Sequence, residues 1–410
     1  MSAPRSTDPT GSTPAAAGQS ATSAAGTGPV GADPRSAPRG RNHSPGTRHP
    51  PASFLPYGAA LAWSAAALGM ALGWLTGVVP PGLSEASAFG ALLTTDHLGV
   101  AASVTFLVGA LGVVIALLLP RSHAPRLLEV SAWTVFAVLL LAYIDSTLLV
   151  WLGYGLAMPV LVWVEPALGV DYVALTLSAP LLQTLYFTAG AGIWAWASLT
   201  HRRRRLDGCV RCGRTTAWTP DAERALRGQA LRTGRIAVVG AFALALFYPA
   251  LRLPWLFGYS MGMAEEAFAA VASDPTAMMI GLGLGAAGVL GAVLMLGLVQ
   301  GWGVRFPWWM VGLSGRRVPV SLAVLPATLV AMALVGMGRS VLVQFWQLGG
   351  VEPGMGSHAV AFGAMPLWGA ALAVATAAYA VRRRAECAVC GRGLPEAWPV
   401  AAPPLLPRKR

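Results

Sequence analysis

The sequence predicts an all-α integral membrane protein of eight transmembrane helices, arranged as a parallel 4+4 internal repeat behind a disordered N-terminal tail. Three observations lead there. Apolar residues make up 55% of the chain and charged residues 11%, and several apolar runs reach the roughly 20 residues that cross a ~30 Å hydrocarbon core. Arginines cluster at the ends of alternate runs. Finally, the four cysteines stand in two matched stretches, Cys209-Val210-Arg211-Cys212-Gly213-Arg214 and Cys387-Ala388-Val389-Cys390-Gly391-Arg392, each behind an Arg-rich segment.

Residues 1–52 are mostly Ser, Thr, Pro, Gly and Ala, too poor in large apolar side chains to offset the entropy of ordering, and predict a disordered tail. A cleaved signal peptide has a short basic start and a brief apolar core, whereas here a long polar stretch precedes a full-length span, so the first helix is expected to be retained. Spans are expected at about 56–79, 98–119, 128–152, 176–199, 236–258, 277–300, 319–345 and 359–381. The tail and the even-numbered connections carry the arginines: Arg35 to Arg48, Arg121 and Arg126, the Arg202 cluster, Arg305 with Arg316 and Arg317, and Arg382 onward. The odd connections carry Glu85, Asp96, Glu165, Asp171, Glu265, Glu266, Asp274 and Glu352, with no Arg or Lys. By the positive-inside rule both termini lie in the cytoplasm, at a bacterial inner membrane. The formal net charge of +12 therefore reads as topology rather than as a nucleic-acid footprint.

The two halves can be followed beyond the cysteines. Trp74-Leu75-Thr76-Gly77 is matched by Trp255-Leu256-Phe257-Gly258, Glu85 by Glu266 and Pro125 by Pro307. An even number of spans per half makes the repeat parallel, about an axis along the membrane normal. The expected divisions are a tail at 1–52, a first repeat at 53–214, a cytoplasmic linker at 215–234, a second repeat at 235–392 and a C-terminal tail at 393–410. Each half resembles a group of small four-span actinobacterial membrane proteins of uncharacterised function. The likeness lies in the aromatic-Gly close of the first span, the Pro-Arg-rich second connection (Pro120-Arg121 to Pro125-Arg126) and the Arg-rich exit after the fourth span. It implies the architecture and no activity, and the CxxC pairs are not carried over from it.

The CxxC pairs are the strongest chemical signal. Two thiolates three residues apart can hold one metal ion from a tight turn, and the glycine after the second Cys lets the backbone fold back. One pair is half a tetrahedral site, and a parallel repeat brings both pairs to equivalent positions. Cys209, Cys212, Cys387 and Cys390 are thus expected to bind one structural Zn²⁺, with Arg211, Arg214 and Arg392 offsetting its charge and Trp218 and Trp398 shielding it. A redox pair and four ordinary reduced thiols are the competing readings.

Within the spans, Asp145 and Arg339 lie at similar expected depths, about 10 Å from the outer ends at ~1.5 Å per residue. With Arg252 they form a possible intramembrane polar site. A structural ion pair, a substrate or ion site and arginine snorkelling remain alternatives. No HExxH, GxSxG or GxxxxGK[ST] pattern occurs, so no catalytic residues are assigned and an intramembrane enzyme ranks third among the readings. Two function classes follow. One is a structural or regulatory membrane protein whose zinc site and basic segments engage anionic lipid headgroups or a protein partner. The other is a transporter or lipid-handling protein with an outward-facing polar site between the repeats.

Overall fold

The computed structural model describes residues 54–85, 90–121, 126–347, 349–351 and 356–395. The expected N-terminal tail, the expected C-terminal tail beyond residue 395, and Glu352, Pro125 and Trp398 lie outside these. Among the described residues the chain is helical, without strands beyond two isolated bridges. Among these described residues seven helical stretches are long and apolar enough to cross a membrane, eight when one pair bent by 53° is taken as a single span. They correspond to the eight expected runs.

α1 (Leu55–Thr76) carries Pro56 in its first turn and ends at Gly77, whose φ of 72° closes the helix with an N–H donated to the Trp74 carbonyl. α2 (Leu98–Leu118) runs back beside it. Both follow the pattern of a helix in lipid: small residues face inward and leucines face out. Ala60, Ala67 and Ala71 are fully buried, as are Ala101 and Ala102, while Leu75, Leu107 and Leu111 are exposed. Gly109 permits the close approach, since a Cβ there would lie 2.8 Å from the Leu68 backbone nitrogen.

The third span departs from expectation. α3 (Arg126–Val138) widens into a π-turn at Leu139–Tyr143 and breaks at Ile144-Asp145; α4 (Ser146–Val164) then begins. The expected single helix over 128–152 is interrupted because the Asp145 carboxylate accepts the Thr147 N–H at 2.9 Å and starts a new helix. Tyr143, stacked on Phe187 at 3.9 Å between ring centroids, holds the widened turn. The expected outer connection is largely helical too, comprising the rest of α4 and α5 (Ala167–Thr176). α6 (Ala179–Arg205) starts at the Ser178 cap and locks onto α1 by two reciprocal bonds: Trp63 Nε1 donates to the Tyr186 carbonyl at 3.1 Å, and Tyr186 Oη donates to the Trp63 carbonyl at 2.9 Å.

The stretch read as a linker is also helical. α7 (Pro220–Ala245) starts from Thr219, whose hydroxyl accepts the Ala222 N–H, with proline in the first turn, where its missing N–H costs nothing. Pro249 and Pro254 then divide the remainder into α8 (Phe247–Arg252) and a 3₁₀ turn ending at Gly258, φ 79°. α9 (Glu265–Ser273) and α10 (Pro275–Leu296) follow, then an irregular loop, α11 (Val320–Gln347), α12 (Gly356–Gly363) and α13 (Met365–Arg382). α13 packs between α7 and α11, where Gly369 lies against the Ala331 carbonyl.

Two cores result. One joins α1, α2, α3 and α6 around Trp63, Phe187 and Trp194; the other joins α7, α10, α11 and α13 around Leu334, Leu372 and Tyr379. They meet along α4 and α11: Leu149 packs against the second core, and Ala333 belongs to the first.

Candidate metal centre

Both cysteine pairs hang from the ends of helices, and the same local bonds shape them. In the first, the Cys209 N–H donates to the Arg214 carbonyl at 2.9 Å and the Gly213 N–H to the Cys209 carbonyl at 2.6 Å. In the second, the Cys387 N–H donates to the Arg392 carbonyl at 3.0 Å and the Gly391 N–H to the Cys387 carbonyl at 2.8 Å. Gly213 (φ 76°) and Gly391 (φ 65°) occupy the left-handed region that closes each loop.

The four Sγ atoms all lie within 4.8 Å of one another. Cys209 Sγ is 3.9 Å from Cys387 Sγ, and Cys212 Sγ is 3.6 Å from Cys390 Sγ. These separations are far beyond a disulfide bond of ~2.05 Å. They match the edge of a sulfur tetrahedron about a metal at ~2.3 Å, which is about 3.8 Å. Cys212 and Cys387 are buried and the other two half-buried, so a bound ion would be largely withdrawn from water. The four residues named from the sequence as a metal set are thus brought together and could hold one ion.

Burial raises the Cys212 thiol and pushes Cys390 up to about 12. Burial acts the same way on Cys387, but the backbone N–H groups of Cys390 and Val389 and the neighbouring thiols outweigh it and bring this thiol down to about 7. Four thiolates this close repel one another when no cation lies between them. A bound divalent cation would offset that repulsion and favour the deprotonated thiols.

Arginines from each half close the knuckle of the other. Arg384 donates to the Cys212 carbonyl at 3.0 Å, while Arg214 donates to the carbonyls of Ala385 and Arg392, each at 3.1 Å. Arg214 is held by a buried, two-pronged bond to Glu223 (Nη2–Oε1 2.7 Å, Nε–Oε2 3.0 Å). Trp218, expected to shield the metal, donates its indole N–H to the same carboxylate. Arg227 lies 3.5 Å from Glu223 and donates to the carbonyls of Arg384, Leu394 and Pro395. Glu223 stands in the polar opening turns of α7, outside the apolar segment, and the Arg214 guanidinium holds its carboxyl at about 2. Sequence reasoning missed Glu223 and Arg227; their i,i+4 spacing was the available signal.

The arginine runs read as topology signals also have protein partners. Arg205 pairs with Glu129 at 2.8 Å, and Arg204 lies over the rings of Phe54 and Tyr57. Arg382 donates to the carbonyls of Leu298 and Val299 just past α10.

The residues of the expected intramembrane site are distributed otherwise. Asp145 is buried and accepts Ser84 Oγ at 3.0 Å besides the Thr147 N–H. Arg339 does not pair with it directly: it donates to the Ile144 carbonyl at 2.8 Å and to the Gly90 carbonyl. Arg252 lies 4.2 Å over the Trp255 ring and takes no part. A cavity of about 20 Å³, room for one water-sized occupant, is lined by Ser84, Tyr143, Asp145, Gln183, Thr184 and Phe187 among others.

No family model matches the chain, and no curated protein or solved structure matches it either.

Proposed function

We propose that the chain is a structural or regulatory protein of a bacterial cytoplasmic membrane, with two parallel four-span repeats stapled at their cytoplasmic ends by a zinc tetrathiolate of Cys209, Cys212, Cys387 and Cys390. The observation that carries this reading is the approach of all four Sγ atoms to within 4.8 Å from two sites 178 residues apart. Zinc is the metal favoured by four thiolates in a tetrahedral set. The repeat is supported by paired geometry: Gly77 and Gly258 cap their helices alike on Trp74 and Trp255, and the knuckles close with the same bonds. Its halves are the four-span units that resemble the actinobacterial proteins. Anionic headgroups and a protein partner are the expected contacts of the basic surface. Metal analysis of the purified protein tests the reading. About one zinc per chain, lost in both Cys209→Ser and Cys387→Ser, is expected of a joint site; half-loss in each variant would mean two separate ones.

The cavity at Asp145 favours a second reading, in which the body binds a small polar ligand or ion for transport. The paired change Asp145→Asn with Arg339→Gln then abolishes the cellular phenotype of the protein while leaving its metal content intact. A retained phenotype would exclude this reading.

A further inference from the structure

The loop between α10 and α11 presents an apolar tip on a basic base. Val304 and Val318 close its neck, the Val318 N–H donating to the Val304 carbonyl at 2.9 Å. Arg383 pins that neck by donating to the carbonyls of Gly303 at 3.0 Å and Val318 at 2.9 Å. The loop therefore projects from the end of the molecule that carries the cysteines. Beyond the neck, Trp308 is 86% exposed, Trp309 63% and Val311 95%. Arg305, Arg316 and Arg317 surround the base, and no acidic residue occurs between Asp274 and Glu352.

The tip is folded rather than open. The Phe306 N–H donates to the Arg316 carbonyl and the Gly315 N–H to the Phe306 carbonyl, both at 3.0 Å. Within the turn the Met310 N–H donates to the Pro307 carbonyl at 3.1 Å and the Ser314 N–H to the Met310 carbonyl at 2.9 Å. A loop folded in this way suits the interface, outside the hydrocarbon core from which lipid-exposed irregular backbone is excluded, with its side chains alone reaching further in. Tryptophan prefers the boundary between headgroups and acyl chains, and arginine the anionic headgroups above it. The flanking helices are both long and apolar enough to cross the membrane, which places the loop at that boundary.

We infer that residues 305–317 form an anchor that inserts Trp308, Trp309 and Val311 into the leaflet on the cysteine side, with Arg305 and Arg316 on anionic phospholipid headgroups. The inference does not depend on the metal. The test uses the full chain in nanodiscs of phosphatidylglycerol and phosphatidylcholine, with and without brominated acyl chains. Subtracting the spectrum of a Trp308→Phe/Trp309→Phe variant isolates the emission of the tip. That difference emission is expected to be lost in brominated discs and unaffected by aqueous iodide. Replacing phosphatidylglycerol by phosphatidylcholine, or Arg305 and Arg316 by Gln, weakens the loss. Emission quenched by iodide and not by bromine places the tip in water and overturns the anchor. Emission protected from both means that it docks on protein, which overturns it equally. Bromine quenching indifferent to lipid charge removes the arginines from the proposal.

Discussion

At the residue scale, the cluster behaves as a set of competing thiols. Cys390 is held protonated by burial while Cys387 comes down to about 7, so a metal must displace protons to recruit the full set. The sign follows: affinity rises with pH, by roughly tenfold per unit for each proton displaced. Glu223, held at about 2 by Arg214, remains ionised far below neutrality. Its stabilising contribution is present above the usual carboxylate range and is lost only as pH falls through about 2. Titrating the holoprotein from about pH 8 to pH 6 against a chelator should therefore release metal by thiol protonation alone, with the Arg214–Glu223 bridge intact. Metal retention that does not change over this range would show that the thiols are not the ligands.

At the element scale, the opening turns of α7 act as a strap. Glu223 fixes Arg214, and Arg214 and Arg227 together grip the second cysteine loop through five carbonyls. Replacing Glu223 by Gln leaves Arg214 with an uncompensated buried charge, a change of about 3–5 kcal/mol in comparable pairs. The expected outcome is metal release to a chelator at least tenfold faster than in the parent, with the apolar helices unaffected by circular dichroism. An unchanged release rate would mean that the knuckles hold without the strap. The meeting of the four cysteines was legible in the sequence because two matched motifs mark the ends of two similar runs. The strap was not, because nothing in Glu223 announces which arginines from elsewhere will reach it. The break at Asp145 was also hidden, since a capping aspartate inside an apolar run looks the same in sequence as a buried charge seeking a partner.

At the scale of the whole molecule, hydropathy located the spans well because lipid imposes length and apolarity on each helix separately. It could not say which helices meet. That depends on small residues such as Ala67, Gly109 and Gly369, whose value lies in what approaches them. The paths of α4 and α11, which join the two cores, are likewise set by partners distant in sequence. The arginines at the helix ends, read from the sequence as marks of sidedness, also tie down carbonyls past the end of α10 and in the first cysteine loop.

The exchange of arginines between knuckles has a consequence in time. The first loop is translated 178 residues before its counterpart, roughly 10–35 s at ordinary elongation rates of about 5–20 residues per second. During that interval Cys209 and Cys212 are without Cys387 and Cys390, and without the Arg384 that later donates to the Cys212 carbonyl. If the four cysteines form one metal site, as proposed above, synthesis of the chain includes a window in which two of its thiols are present and the other two are not.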